Sequence, residues 1–283
     1  MTQRKRLAAL PALAMALASC SAVGVLNGIT PSSSFDRDKN VAYGDLDRQR
    51  MDIYRAASPK VGAPVMVFVH GGSWSEGSKD IYKFLAEGFT KEGYDVVVPN
   101  YRLYPDARYP DMVVDTGLAA SAASERFDRP VILVGHSAGG YNALMAAMAR
   151  DVSGLDTCNT VAGVVALAAP TGAYPMTNRP FTKIFPDRLQ GNDAPLNRVS
   201  GPLPPVMLVN GLDDTTVGPK NTEALAAKLK AAGLRVDKRL YEGMNHTDAV
   251  RVLSRHFDGG SPLKADMLAF MDALPTGPDY CAP

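Results

Sequence analysis

Val131-Ile132-Leu133-Val134-Gly135-His136-Ser137-Ala138-Gly139-Gly140-Tyr141-Asn142-Ala143-Leu144-Met145-Ala146-Ala147-Met148-Ala149 is the stretch that decides how the whole 283-residue chain is read. Its first four residues are apolar without alternation, as in a strand buried on both faces. Its last ten are mostly small or apolar and free of proline, as in a buried helix. Between them lies Gly135-His136-Ser137-Ala138-Gly139, a G-x-S-x-G pentapeptide. A strand that becomes a helix over so few residues must turn sharply, and a Cβ at either flanking position would crowd the turn. Such a turn can present the central serine as an exposed nucleophile in a strained backbone conformation. An ordinary turn with Ser137 as an N-cap would fit the same five residues, so the discrimination comes from the rest of the chain.

Three other runs have chemistry at their ends. Pro64-Val65-Met66-Val67-Phe68-Val69 reads as a short buried strand and ends in His70-Gly71-Gly72-Ser73-Trp74, where two adjacent glycines allow close approach to a substrate. Val206-Met207-Leu208-Val209, introduced by Pro202-Leu203-Pro204-Pro205, runs into Asn210-Gly211-Leu212-Asp213-Asp214-Thr215-Thr216-Val217. Leu234-Arg235-Val236-Asp237-Lys238-Arg239-Leu240-Tyr241 alternates like a half-buried strand and opens into Glu242-Gly243-Met244-Asn245-His246. Further strands are expected within Val41 to Arg55, at Asp95-Val96-Val97-Val98-Pro99 and over Val161 to Leu167. Helices are expected over Lys79 to Lys91, Pro110 to Arg126, Pro219 to Ala232 and Leu263 to Leu274. Strands alternating with helices imply a mostly parallel central sheet covered on both faces.

Together with Asn100-Tyr101-Arg102-Leu103-Tyr104-Pro105, these motifs resemble the α/β-hydrolase superfamily, and within it the esterase/lipase branch. That branch includes carboxylesterases, feruloyl-esterase-like enzymes and kynurenine formamidases, and the His-Gly-Gly-x-Trp form leans toward the last two. The resemblance implies Ser137 as nucleophile, an acid after the strand ending at Val209 and His246 as base, in the chain order Ser, Asp, His. Asp214 is the expected acid, from the register of Gly211, Asp214 and Val217; Asp213 is its competitor. His256 is the runner-up base. The implied oxyanion donors are the N–H of Ala138 and those of Gly72 and Ser73, with the choice between the loop amides open by one residue. Each such donor can be worth roughly 3 kcal/mol of barrier when held about 3 Å from the developing charge. His70 reads as ordering its loop rather than moving protons, and Trp74 as either a pocket wall or packing.

The chain starts with a basic segment, Arg4-Lys5-Arg6, and an Ala/Leu-rich stretch from Leu7 to Leu17. That is the pattern of a secretory signal, too short to span a bilayer. It closes on Leu17-Ala18-Ser19-Cys20, which resembles a bacterial lipobox. The resemblance implies cleavage before Cys20, lipidation of Cys20 and, with Ser21 next, anchoring in the cell envelope with the outer membrane favoured. An ordinary secretory signal is the alternative. The expected organisation is signal peptide 1–19, tether 20–40 and a catalytic domain over 41–283. Residues 169–205, rich in proline, form a short cap whose candidate walls are Tyr174, Met176, Phe181, Ile184 and Phe185; the same side chains could instead bury the loop itself.

Losing residues 1–19 removes three of 30 basic residues and none of the 29 acidic ones, for a net charge of −2. Charge is scattered, and nothing in it suggests a nucleic-acid partner. Cys158 and Cys281 are candidates for a disulfide in an oxidising envelope, and no Cys/His spacing suggests a metal site. The leading expectation is a serine carboxylesterase that cleaves a small or aryl ester and needs no cofactor. Its alternatives are an arylformamidase with the same triad, and a non-catalytic lipoprotein that uses the fold for binding.

Overall fold

The uninterrupted apolar runs lie in the middle of one eight-stranded sheet. The structure, a computed structural model, describes residues 27–255, 257, 259–274 and 279–281. Its strands are β1 (Phe35–Ala42), β2 (Arg50–Ala56), β3 (Val65–Val69), β4 (Val96–Pro99), β5 (Val131–His136), β6 (Val161–Leu167), β7 (Val206–Gly211) and β8 (Val236–Tyr241). They are ordered β1-β2-β4-β3-β5-β6-β7-β8. The β1–β2 and β2–β4 pairs are antiparallel and all other pairs are parallel. This is the mostly parallel sheet expected from the sequence. The interior strands β3 to β7 are buried along their whole length, whereas β8, a sheet edge, is half-buried to exposed.

Helices cover both faces because successive residues of a strand point to opposite sides. On one side Met66, Phe68, Val96, Val98, Ile132 and Val134 pack against α1 (Lys83–Thr90) and α5 (Leu263–Asp272) through Phe84, Phe89, Met267 and Phe270. On the other, Val65, Val67, Val97, Leu133 and Leu208 meet α2 (Asp111–Phe127), α3 (Ala138–Met148) and α4 (Lys220–Ala231). Each such fully buried side chain is worth roughly 1.5–3 kcal/mol of transfer free energy. Alanines on α2 and α3, among them Ala120, Ala123, Ala143 and Ala147, let those helices approach the sheet closely.

Two boundaries depart from expectation. The tether over 20–40 is too long, because β1 already begins at Phe35 and pairs with β2. Even earlier residues touch the body: Asn27 Nδ2 donates to the Asp80 carbonyl at 2.8 Å, and Lys83 Nζ to the Thr30 carbonyl at 2.6 Å. Phe35-Asp36-Arg37-Asp38-Lys39-Asn40 is polar because an edge strand keeps one side in water. The helix expected over Lys79 to Lys91 is also divided. A single 3₁₀ turn, Lys79–Ile81, precedes α1, and Lys79 is buried with its Nζ 3.1 Å from Asp52 on β2, where Arg37 also binds. A charge needing that buried partner overrides regular helical phasing. At the opposite end of the chain the sulfurs of Cys158 and Cys281 are bonded, and Tyr280 Oη donates to the Thr157 and Val161 carbonyls beside them. The signal peptide and Cys20 lie outside the described residues.

Candidate active site

The turn between β5 and α3 holds Ser137 at φ 54°, ψ −122°, a conformation that L-residues adopt only under constraint. Close approach supplies that constraint. A Cβ on Gly135 would stand 2.2 Å from the Gly139 carbonyl oxygen, and one on Gly139 would stand 2.0 Å from that of Val69. The serine N–H donates to the Leu167 carbonyl at 2.8 Å, which ties the turn to β6.

Asp214 and His246 arrive from the next two strands. Asp214 follows β7 and is buried, while neighbouring Asp213 is exposed. Asp214 Oδ1 accepts the backbone N–H of Thr216 and of Val217, both at 2.8 Å, and its Oδ2 lies 2.7 Å from His246 Nδ1. Burial pushes this carboxyl up, but the His246 bond and the two amides outweigh it and hold its pKa below the usual value. His246 follows β8 in a loop shaped by Asn245, whose Oδ1 accepts the N–H of Thr247 and of Asp248. His246 Nε2 is 2.9 Å from Ser137 Oγ. The three side chains therefore form one continuous hydrogen-bonded chain at the C-terminal ends of β5, β7 and β8. His256, the other candidate base, lies outside the described residues.

Across from Ser137, the loop after β3 runs through Gly72, Ser73 and Trp74 at φ 121°, 51° and 58°. Gly72 is required there, since a Cβ would meet the Glu76 carbonyl at 2.1 Å. Among the described residues, no acceptor takes the backbone N–H of Gly72, Ser73 or Ala138. The loop comes up to the elbow at Gly71, where a Cβ would stand 3.3 Å from that of Ser137, and amides without an acceptor are free to bind an oxyanion. Trp74 is packing: it is 1% exposed, with its indole edge-on to Phe185 at 4.7 Å and to Tyr141 at 5.2 Å. Ile184 and Phe185 of the 169–205 segment are buried in the same cluster, so these two bury the cap rather than line it, whereas Tyr174 is exposed. His70 stacks on Tyr101 at 4.4 Å, its Nδ1 2.7 Å from the Gly71 carbonyl, in keeping with a loop-ordering role.

Two contributors escaped the sequence reading. His136 sits inside the pentapeptide, and its Nε2 bonds the His246 carbonyl oxygen at 2.8 Å, with the two rings 4.8 Å apart. Asn210, at the end of β7, donates to the Val217 carbonyl at 3.0 Å and to Asp214 Oδ2 at 3.4 Å, while its Oδ1 accepts from Thr222. His136 acts across 110 residues, a separation that no local pattern reveals, whereas Asn210 acts within 12 residues of itself, through the loop that carries the acid. Among the described residues no cluster of His, Cys, Asp and Glu has the makings of a metal site.

This geometry has counterparts among known proteins. A BD-FAE family model matches residues 51–229. A probable isoprenylcysteine alpha-carbonyl methylesterase from Oryza sativa is 29% identical over 240 residues, covering 74% of this chain and 58% of that protein. Kynurenine formamidase from Danio rerio is 23% identical over 228 residues, covering 77% and 76% of the two chains. The chain thus spans little more than half the length of the methylesterase relatives that it matches. Esterase B from Lactobacillus rhamnosis superposes with a TM-score of 0.75 at 18% identity, over 92% of this chain and 93% of that one. At that identity the likeness is one of fold, and the fold is the α/β-hydrolase fold.

Proposed function

The chain belongs to the BD-FAE family, and from that premise we propose that it is a serine carboxylesterase acting on small or aryl esters. One observation carries the reading: an unbroken hydrogen-bond chain from Asp214 through His246 to Ser137, beside an elbow and a loop whose Ala138, Gly72 and Ser73 amides have no acceptor among the described residues. In this reading Asp214 holds His246 in the tautomer with hydrogen on Nδ1, leaving Nε2 free to accept the Ser137 proton. Ser137 Oγ attacks the ester carbonyl, and the oxyanion accepts from Ala138 N–H and from Gly72 or Ser73 N–H. His246 passes its proton to the departing alkoxide, which leaves as the alcohol. Water then loses a proton to His246 and attacks the acyl-enzyme; the acid leaves and Ser137 regains its proton.

The size preference is supported by the cap, whose described helical structure is one turn, Phe181–Ile184, and one 3₁₀ turn, Pro195–Arg198. A second reading, N-formyl amide hydrolysis, is favoured by the likeness to kynurenine formamidase and by the His-Gly-Gly-x-Trp loop. A panel of p-nitrophenyl esters of graded acyl length, run beside N-formylkynurenine, separates the two. Preferential turnover of short or aryl esters is expected, and turnover of the formyl amide alone would replace the esterase assignment.

A lipid anchor on Cys20 in a bacterial envelope remains part of this proposal. Six residues separate Cys20 from Asn27, a stretch that reaches about 25 Å at full extension, so the anchor would keep the domain next to the bilayer. Cys20→Ala, expressed with the leader in a Gram-negative host, should move the protein from the membrane to the soluble fraction. Unchanged membrane recovery overturns the anchor.

A further inference from the structure

We propose that Asn142 is a positioning residue, acting through Trp74 to hold the loop half of the oxyanion hole in register with the elbow half. The inference rests on the esterase reading above and deepens it. Gly72, Ser73 and Trp74 are three consecutive residues at positive φ. Two of them carry side chains, and such a run persists only where its surroundings over-determine it. Backbone bonds supply part of the hold: Ser75 and Glu76 N–H donate to the Gly72 carbonyl at 3.0 Å, and Tyr104 N–H to that of Trp74 at 2.8 Å. Among the described residues the side-chain tie is a single hydrogen bond, from Trp74 Nε1 to Asn142 Oδ1 at 2.9 Å, between two residues almost wholly removed from water.

The position of Asn142 gives this bond its meaning. It stands on α3 four residues after Ala138, one helical turn from the elbow amide. The strut therefore joins the element that carries Ala138 N–H to the loop that carries Gly72 and Ser73 N–H. Because an indole N–H only donates, the amide oxygen of Asn142 must face it. The Nδ2 group is then left buried without a partner among the described residues. A leucine would fill the same volume without an unsatisfied amide, so packing alone gives no reason for asparagine here. The reason the structure supplies is the acceptor offered to Trp74.

The test uses Asn142→Leu, which removes the acceptor, Trp74→Phe, which removes the donor, and the double variant. Active sites are titrated with a fluorophosphonate, and kcat, KM and the Ki of an aryl trifluoromethyl ketone, which forms a tetrahedral oxyanion, are measured. Asn142→Leu should lower kcat per titrated site about tenfold or more, since complete removal of one oxyanion donor costs about 10²–10³ in kcat. KM should stay within about twofold, the ketone Ki should rise in parallel with the kcat loss, and the double variant should be no worse than the more impaired single one. A merely structural residue would lower the melting temperature and the number of titratable sites but leave kcat per site and the Ki alone; that result overturns the inference, as do losses that multiply in the double variant. Should Asn142→Leu fail to fold, Trp74→Phe decides by the same criteria. A wild-type protein inert to both ester and fluorophosphonate defeats the esterase reading itself and this inference with it, whereas an active wild type beside an unimpaired Asn142→Leu defeats the inference alone.

Discussion

Replacing His70 or His136 with glutamine should flatten the loss of stability that the protein suffers as pH falls. His70 is fully buried, and its Nε2 has no partner among the described residues. Protonation would leave a buried N–H without an acceptor, and burial pushes the pKa down to about 4. Burial first, and then the neighbouring His246 ring, push His136 down to about 3. In the unfolded chain both titrate near about 6.5. Between those values the unfolded state binds protons that the native state refuses, so stability is fully present above about pH 6.5 and declines as pH falls. From pH 7 to pH 5 each imidazole accounts for about 2 kcal/mol of that decline, and the pair for about 4 kcal/mol. This window lies above the range in which ordinary carboxylates titrate, so the histidines can be read apart from them. The assay is urea unfolding at pH 7, 6 and 5, followed by the fluorescence of the single tryptophan, the buried Trp74, and extrapolated linearly to water. Each single variant should start less stable but lose about 2 kcal/mol less than wild type over the interval. Variants that keep the wild-type pH dependence would show that neither buried imidazole resists protonation in the native state.

Asp214→Asn should lower kcat by about 10⁴, because an amide favours the wrong His246 tautomer, whereas Asp213→Asn, on an exposed side chain, should leave kcat nearly unchanged; steady-state kinetics showing the reverse ranking would exchange their roles. Removing the Cys158–Cys281 bond by double serine substitution opens a loop with a sequence separation of 123, and should cost up to about 5 kcal/mol in urea unfolding. The same variant should keep its kcat, since the bond lies by the N-terminal end of β6 while the triad lies at the C-terminal ends of β5, β7 and β8; a lowered kcat contradicts that separation. Gly139→Ala should lose roughly 2–3 kcal/mol by overpacking against the Val69 carbonyl, a cost also read by urea unfolding, and a variant as stable as wild type would count against the elbow geometry.

Local chemistry made the elbow and the oxyanion loop legible, because a strand, a tight turn and a helix lie within one short stretch of sequence. The acid was legible through spacing, and burial is what separates Asp214 from Asp213. The start of the domain was misread because Phe35–Ala42 pairs at a sheet edge, where a polar strand looks like a tether. Residues 169–205 resisted reading because their apolar side chains do not form a helix face. Ile184, Phe185 and Leu189 instead join Trp74, Tyr101 and Tyr141, which come from three distant segments. The same holds for His136 and Asn142, whose partners stand 110 and 68 residues away. Periodicity reports what a segment buries, not which distant atom a side chain meets.

Ser137 as nucleophile is tested by intact-mass and peptide mass spectrometry after fluorophosphonate treatment, with ester turnover followed on the same samples of wild type and Ser137→Ala. One adduct per wild-type chain is expected, located on Ser137, with turnover falling as the adduct forms, and neither adduct nor turnover in a folded Ser137→Ala variant. Ester hydrolysis that survives in that variant, or an adduct on another residue, would contradict that role for Ser137.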